Sequence, residues 1–206
     1  DGITMVSLRV FFGMVLFWLT ALCFKREKVP LRDKLLFGAA GLFGLTFNQC
    51  LYTIGLSITS PVNSSIVTTS MPIFAMVLSF LILKEPITLQ KALGVFIGCC
   101  GAVTLVLTSA AAINDKIGDI RGDLMCIGAQ LSFALYLSLF NKLIKRYSVF
   151  TVNKWMFLWA TMFIWPFTFT HVSGVQWSDV PRMSLLEAGF VVFFGTYLSY
   201  ILTMVG

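Results

Sequence analysis

Apolar residues in this chain come in long uninterrupted blocks, with polar residues gathered between them. Seven blocks can be drawn, at about 3–24, 35–56, 61–83, 90–109, 122–143, 150–171 and 185–206. Each reaches the roughly 20 residues that a helix needs to cross the hydrocarbon core of a bilayer. Backbone groups in lipid must pair internally, so the blocks predict helices, and the chain reads as an all-α integral membrane protein with seven spans. The third block differs from the others. Its first half is polar, with Asn63, Ser64, Ser65, Thr68, Thr69 and Ser70, and its second half is apolar. Pro72 near its middle has no N–H, which takes the helical partner from the Thr68 carbonyl and predicts a kink. Two readings follow: the kink faces a polar cavity, or its own threonines satisfy it and it packs on a neighbouring helix.

Composition supports the membrane reading. Hydrophobic residues make up 58% of the 206 residues, charged residues 12%, and phenylalanine alone occurs 20 times. The net charge of +6 is dispersed over the connections, so no continuous basic stripe exists to follow a nucleic acid backbone. Those connections alternate. The segments 25–34, 84–91 and 142–154 are basic, whereas 57–60, 110–121 and 172–184 are neutral or balanced. The positive-inside rule places the first three in the cytoplasm of a multi-pass protein of the cell membrane. Cys23, Cys50, Cys99, Cys100 and Cys126 all lie in apolar blocks without metal-ligand spacing, which predicts small buried hydrophobes and no disulfide or metal site.

An internal repeat is present. With Thr4 set over Thr151, Trp18 falls on Trp165; with Pro30 over Pro181, Leu35 falls on Leu186 and Gly44 on Gly195. The first span runs outside to inside and its partner, the sixth, inside to outside. That is an inverted-topology repeat, as in many secondary transporters. Residues 1–112 are expected to form the first copy, lacking its first helix. Residues 119–206 form the second, lacking its last two. The chain is then expected to be helices two through eight of a ten-helix (5+5) protein, starting inside a longer one.

Several residues match a known family in order and spacing. They are Arg9 inside the first span, Pro72, the turn Lys84-Glu85-Pro86-Ile87-Thr88, the glycine series Gly94, Gly98 and Gly101, and the segment opened by Gly122-Asp123-Leu124. In these the chain resembles the EamA family of the drug/metabolite transporter superfamily. The resemblance implies a permease that moves small metabolites by alternating access through a central cavity between two inverted repeats. The alternative class is a membrane-embedded receptor or enzyme. The sole histidine lies at a span boundary, the acids lie in loops or at span ends, and the last span has no lysine for a retinal Schiff base. These features weigh against that alternative. They also leave no carboxylate at mid-membrane in these spans, so a buried acid proton relay within them is not expected.

Polar residues within spans are costly and therefore informative. The candidate substrate contacts are Asn48, Tyr52, Thr69, Pro72, Gln130, Tyr197 and Ser199. Asn48 and Tyr52 share a helix face, and the repeat pairs Asn48 with Ser199. Arg9 joins them either as a cavity residue meeting an anionic substrate group or as a side chain reaching outer headgroups. Interhelical hydrogen bonding is the competing role for each. The two glycine series, Gly38-Gly41-Gly44 and Gly94-Gly98-Gly101, are expected to let helices pack closely. No cofactor is expected. The expected partners are a small-molecule metabolite, membrane lipids and, as an assembly state the reading allows, a second copy in a homodimer, with no nucleic acid.

Overall fold

Long apolar helices dominate because in lipid every peptide group must find its partner within the segment. The computed structural model describes residues 2–24, 27–113, 119–175 and 180–205, and among them there is no strand. The α-helices are α1 (Gly2–Cys23), α2 (Leu31–Gly41), α3 (Asn48–Ile58), α4 (Pro61–Thr68), α5 (Met71–Leu78), α6 (Leu89–Ile113), α7 (Ile120–Leu139), α8 (Asn141–Ile144), α9 (Val149–Ser173), α10 (Arg182–Val192) and α11 (Ser199–Val205). Three π-helical segments, Leu42–Phe47, Ser79–Leu83 and Phe193–Leu198, lie among them. Among the described residues, five helical stretches are long and apolar enough to cross a membrane: Gly2–Cys23, Leu31–Ile58, Pro61–Leu83, Ile120–Leu139 and Arg182–Thr203. The other two predicted spans fall on α6 and α9. Lys25, Arg26, Asp115, Lys116 and Asp179, used in reading the connections, lie outside the described residues.

Local sequence sets the helix starts. Pro30 and Pro181 cap α2 and α10 in extended conformation, since proline fixes φ and needs no donor there. Ser60 accepts from Asn63 N, 3.1 Å, to cap α4. Ser148 caps α9, where its hydroxyl accepts from Thr151 N at 3.4 Å. Glu27 in turn accepts from the Ser148 N–H and hydroxyl at 3.0–3.2 Å.

The predicted kink takes a different form. The helix breaks at Thr69 and Ser70, before Pro72, and Pro72 sits in the first turn of α5, where proline is tolerated. Hydroxyls bond back onto the same helix: Thr68 to the Ser64 carbonyl, Thr69 to Ile66 and Ser70 to Val67, at 2.6–2.8 Å. The Cys99 thiol donates to the Thr69 carbonyl at 3.2 Å.

The chain divides into two compact units, one from the residues up to Thr46 with those from Lys142 onward, the other Phe47–Asn141. In the first unit α1 packs on α9. Ring pairs Phe24–Phe150 (4.2 Å), Trp18–Trp155 (5.9 Å), Phe17–Phe157 (5.0 Å) and Phe11–Trp165 (5.2 Å) descend along one helix as they ascend the other, so the helices are antiparallel. Gly13 allows the approach: a Cβ there would meet the Phe157 ring at 2.6 Å. With Thr4 set over Thr151, five of the six buried α1 positions, Thr4, Val6, Val10, Gly13 and Phe17, fall on buried α9 positions, Thr151, Asn153, Phe157, Ala160 and Ile164. The segments 31–47 and 182–198 match as well. Each has a proline cap, eleven α-helical residues, then a six-residue π segment whose third residue is glycine, Gly44 or Gly195.

In the second unit α3 packs on α7. Gly55 and Gly122 bring the backbones together, since a Cβ on Gly122 would lie 2.7 Å from the Gly55 carbonyl oxygen and from Thr59 N. The glycine expectation therefore needs division. Gly38 and Gly41 do face close neighbours, Trp159 at 3.2 Å and the Met156 carbonyl at 2.7 Å. Gly94, Gly98 and Gly101 face open space in the described residues, with nothing within 4 Å of an added Cβ. The cysteine expectation is likewise corrected: Cys126 is buried and Cys50 and Cys99 are half-buried, but Cys23 and Cys100 are exposed.

Gly41→Ala drives a methyl into a backbone carbonyl and is expected to cost about 1–3 kcal/mol. Gly98→Ala meets open space and gains helix propensity, so it is expected to leave stability unchanged or slightly raised. Thermal unfolding of the purified variants in detergent tests this. A Gly98→Ala variant less stable than Gly41→Ala would contradict the packing described here.

Candidate functional site

In the unit that contains α1 and α9, one partly buried polar chain links α1 to the segment Phe193–Leu198. Arg9 Nε donates to the Thr196 hydroxyl at 2.9 Å, and that hydroxyl donates to the Val191 carbonyl at 3.3 Å. The second bond reaches five residues back, the spacing of the π segment Phe193–Leu198 in which Thr196 sits. A π segment redirects backbone hydrogen bonds by one residue, and such segments are common at functional sites. Thr196 is 2% exposed, so its position is fixed by burial and by both bonds. The neighbouring Tyr197 ring packs on Phe17 at 4.8 Å and on Phe193 at 5.7 Å. The structure thus brings Arg9 and Tyr197 to the same π segment. Ser199 opens α11 and is exposed. Tyr200 is buried, and its hydroxyl donates to the Gly44 carbonyl at 3.2 Å, within the other matched π segment.

In the unit Phe47–Asn141 the candidate residues form two groups. Asn48 donates through Nδ2 to the Ala129 carbonyl of α7 at 2.9 Å, and Gln130 beside it is 7% exposed. Tyr52, one turn along α3, is half-buried. Thr69 and Pro72 lie elsewhere in this unit, lining a recess of ≈ 340 Å³ with Gly94, Val95, Gly98 and Cys99. An adjoining recess of ≈ 430 Å³ shares Gly94 and Val95 and includes Ser79, Glu85 and Lys91. Glu85 pairs with Lys91 at 3.7 Å, both ends well exposed, so the pair adds little stability.

Two carboxylate networks were not foreseen from sequence. Asp123 accepts from the Thr59 hydroxyl at 2.5 Å and from Asn63 Nδ2 at 3.1 Å, tying the 57–60 connection to the start of α7. Asp33, 5% exposed, accepts from Arg146 Nη1 at 3.3 Å and from the Tyr147 hydroxyl. The bond to Asp33 is the first cause that holds the Tyr147 hydroxyl above its ordinary pKa. At the same end, partial burial raises the Glu27 carboxyl, but its bonds to Thr151 and Ser148 and the charge of Lys154 outweigh this and leave it below the usual value. The only sequence signal was Asp33 and Glu27 as the acids of a basic connection; their partners lie more than 110 residues away.

The fold and sequence have known counterparts. A solved crystal structure superposes on 98% of this chain and 66% of its own with a TM-score of 0.69 at 16% identity, a likeness of fold. An uncharacterized transporter of Bacillus subtilis, YyaM, is 31% identical over 80% of this chain and 53% of its own length. YetK of the same organism, also an uncharacterized transporter, is 24% identical over 74% and 45%. An uncharacterized transporter of Archaeoglobus fulgidus is 26% identical over 80% and 56%. The chain spans about half the length of these curated relatives. The profile of the EamA-like transporter family matches residues 1–107. With that match over half its length and its multi-pass apolar helices, the chain belongs to the EamA-like transporter family.

Proposed function

We propose that the chain works in a secondary transporter that moves small metabolites across the cytoplasmic membrane by alternating access, without enzymatic chemistry. One observation carries this reading: the α–π–α succession of 31–58 recurs at 182–205 with its proline cap and glycine in register. The antiparallel α1–α9 seam, whose buried positions match under the other half of the alignment, supports an inverted rather than a tandem repeat. On this reading 1–112 and 119–206 are the two copies and the seven apolar blocks are seven of ten helices. Such repeats build a site that opens to one side and then the other. The π segments suit that motion, because their hydrogen bonds lie one register step from the α pattern.

The proposed substrate contacts are taken unit by unit. Asn48, Tyr52 and Gln130 on the α3–α7 seam, with Thr69 and Pro72 at the recess, belong to one. Arg9, Tyr197 and Ser199 belong to the other. The substrate is a small metabolite, with lipid as the surrounding partner and a homodimer as an assembly to be tested.

Orientation follows the connections. The segments 27–34 and 142–154 meet at one end of the first unit through Asp33, Arg146, Tyr147, Glu27 and Ser148. Their shared location supports placing both basic segments on the cytoplasmic side. The neutral segment 57–60 meets Asp123 in the second unit, which supports one side for that connection and the start of α7.

Two measurements test these readings. In the full-length protein, Gln130→Ala, Tyr197→Phe and Arg9→Gln are expected to cut metabolite flux about 3–10-fold, the loss of one hydrogen bond. Flux is read by untargeted comparison of metabolites gained or lost by producing cells. Asn48→Ala is expected to lose flux as well, at a stability cost of about 0.6 kcal/mol for its bond to α7. Phe167→Ala, at an 81% exposed position, is expected to be silent. Normal flux in the polar variants with loss in Phe167→Ala would refute the contact assignment. For orientation, single cysteines at Ser57, Lys28 and Lys145 in a cysteine-free background are treated with an impermeant thiol reagent on intact cells. Labelling at Ser57 alone is expected, and labelling at Lys28 or Lys145 but not Ser57 would reverse the topology.

A further inference from the structure

The two basic connections of the first unit are tied to each other at two points. Asp33 accepts from Arg146 Nη1 at 3.3 Å and from the Tyr147 hydroxyl. Glu27 accepts from the Ser148 N–H and hydroxyl at 3.0–3.2 Å. Both acids lie within or just before the first turn of α2, and all their donors lie between α8 and α9.

The Asp33 tie is the buried one. Asp33 is 5% exposed, and one turn along α2 the buried Phe37 ring meets the Tyr147 ring edge to face, with centroids 5.6 Å apart. A carboxylate withdrawn from water depends on its donors, and losing them leaves an uncompensated charge. Asp33 is therefore satisfied while the connections stay together and must be rehydrated when they part. Farther along α2, Gly41 lies against the Met156 carbonyl of α9. That backbone contact stands about two helical turns from Asp33, roughly 12 Å. It is a fixed point about which the start of α2 can swing once Asp33 is released.

On the repeat reading, Glu27 and Asp33 belong to the copy 1–112, whereas Arg146, Tyr147 and Ser148 belong to the copy 119–206. The ties thus cross the boundary that alternating access would open. With Pro30 set over Pro181, Asp33 falls on Ser184, which is uncharged and exposed. The repeat does not reproduce the Asp33 tie at that position, so its two ends are not equivalent in energy.

We propose that Asp33, supported by Glu27, is a latch between the two copies that biases the transporter toward the state closed at its basic end. The latch rests on the alternating-access reading. Asp33 acts through its hold on the connection before α9 and not by touching substrate. A two-state equilibrium moves only by the difference in contacts that its states make, and the bonds to Asp33 are made in one of them.

The test uses the full-length protein in lipid nanodiscs with no substrate added. Spin labels are placed on single cysteines at Lys28 and Lys145 in a cysteine-free background, and their separation is read by pulsed electron spin resonance. One short separation is expected for the otherwise unsubstituted protein. Asp33→Asn is expected to add a longer one and to lower the closed-to-open ratio about 10-fold, the weight of one hydrogen bond to a charged group. Tyr147→Phe deletes a single oxygen and is expected to shift the ratio the same way by less. In Asp33→Asn/Tyr147→Phe it is expected to add little more, because both changes break one tie. Asp123→Asn removes the carboxylate held by Thr59 and Asn63 and is expected to leave the separation unchanged. An unmoved separation in Asp33→Asn, an equal movement in Asp123→Asn, or a dominant long separation without any substitution at the tie would each overturn the latch. The readout needs no flux. A shift as expected in a protein that transports nothing keeps the latch and sinks the transport reading, whereas flux with an unmoved separation sinks the latch alone.

Discussion

Helices in a bilayer gain little from hiding apolar side chains, because lipid tails are as apolar as leucine; they associate where backbones can approach closely and buried polar groups can pair. Most of this structure follows from that constraint. Gly13 opens α1 to the Phe157 ring, Gly41 admits the Met156 carbonyl, and Gly55 with Gly122 lets α3 and α7 touch backbone to backbone. Polar pairs sit along the same seams: Arg9 with Thr196 in one unit, Asn48 with the Ala129 carbonyl in the other. The seams therefore hold several of the residues proposed as substrate contacts, so packing and the proposed function draw on the same positions.

The π segments show how that competition can be resolved. In Phe193–Leu198 the backbone steps out of α register, and Thr196 takes up the Val191 carbonyl with its own hydroxyl. In Leu42–Phe47 the Gly44 carbonyl is taken by Tyr200. At these two places a side chain thus satisfies a carbonyl where the helix pattern shifts, which helps a membrane helix carry an irregular turn, although the Thr46 hydroxyl of the second segment is buried without a partner.

Block length made the long apolar helices legible, because bilayer thickness acts on sequence directly. Of the repeat alignment, one local part has a structural counterpart: Gly44 and Gly195, set over each other, are each the third residue of a π segment. The segments themselves left no local signal, since their sequences, LFGLTF and FFGTYL, are ordinary for a membrane helix. Periodicity also could not tell which glycines meet a neighbour. Gly94 and Gly98 have the spacing of a packing motif yet face open space among the described residues, whereas Gly55 and Gly122, far apart in sequence, meet. Of the candidate contacts, Arg9 and Tyr197 come to one π segment and Asn48 and Gln130 to one seam, but Thr69 and Pro72 lie at a separate recess. The break at Thr69 was mislocated because proline takes the first turn of the following helix and does not kink a continuous one. Asp33 and Asp123 find partners across long sequence separations, which no local pattern reveals.

The account turns on the antiparallel pairing of α1 with α9. Short-span crosslinking of cysteine pairs, introduced in a cysteine-free background and kept in native membranes, tests it most directly. Pairs at Phe24 with Phe150 and at Phe11 with Trp165 are predicted to crosslink, and a pair at Thr4 with Thr151, at the starts of the two helices, is not. Efficient crosslinking of a pair at Thr4 with Thr151, and none for the first two pairs, would mean that the helices run parallel and that the inverted repeat is wrong.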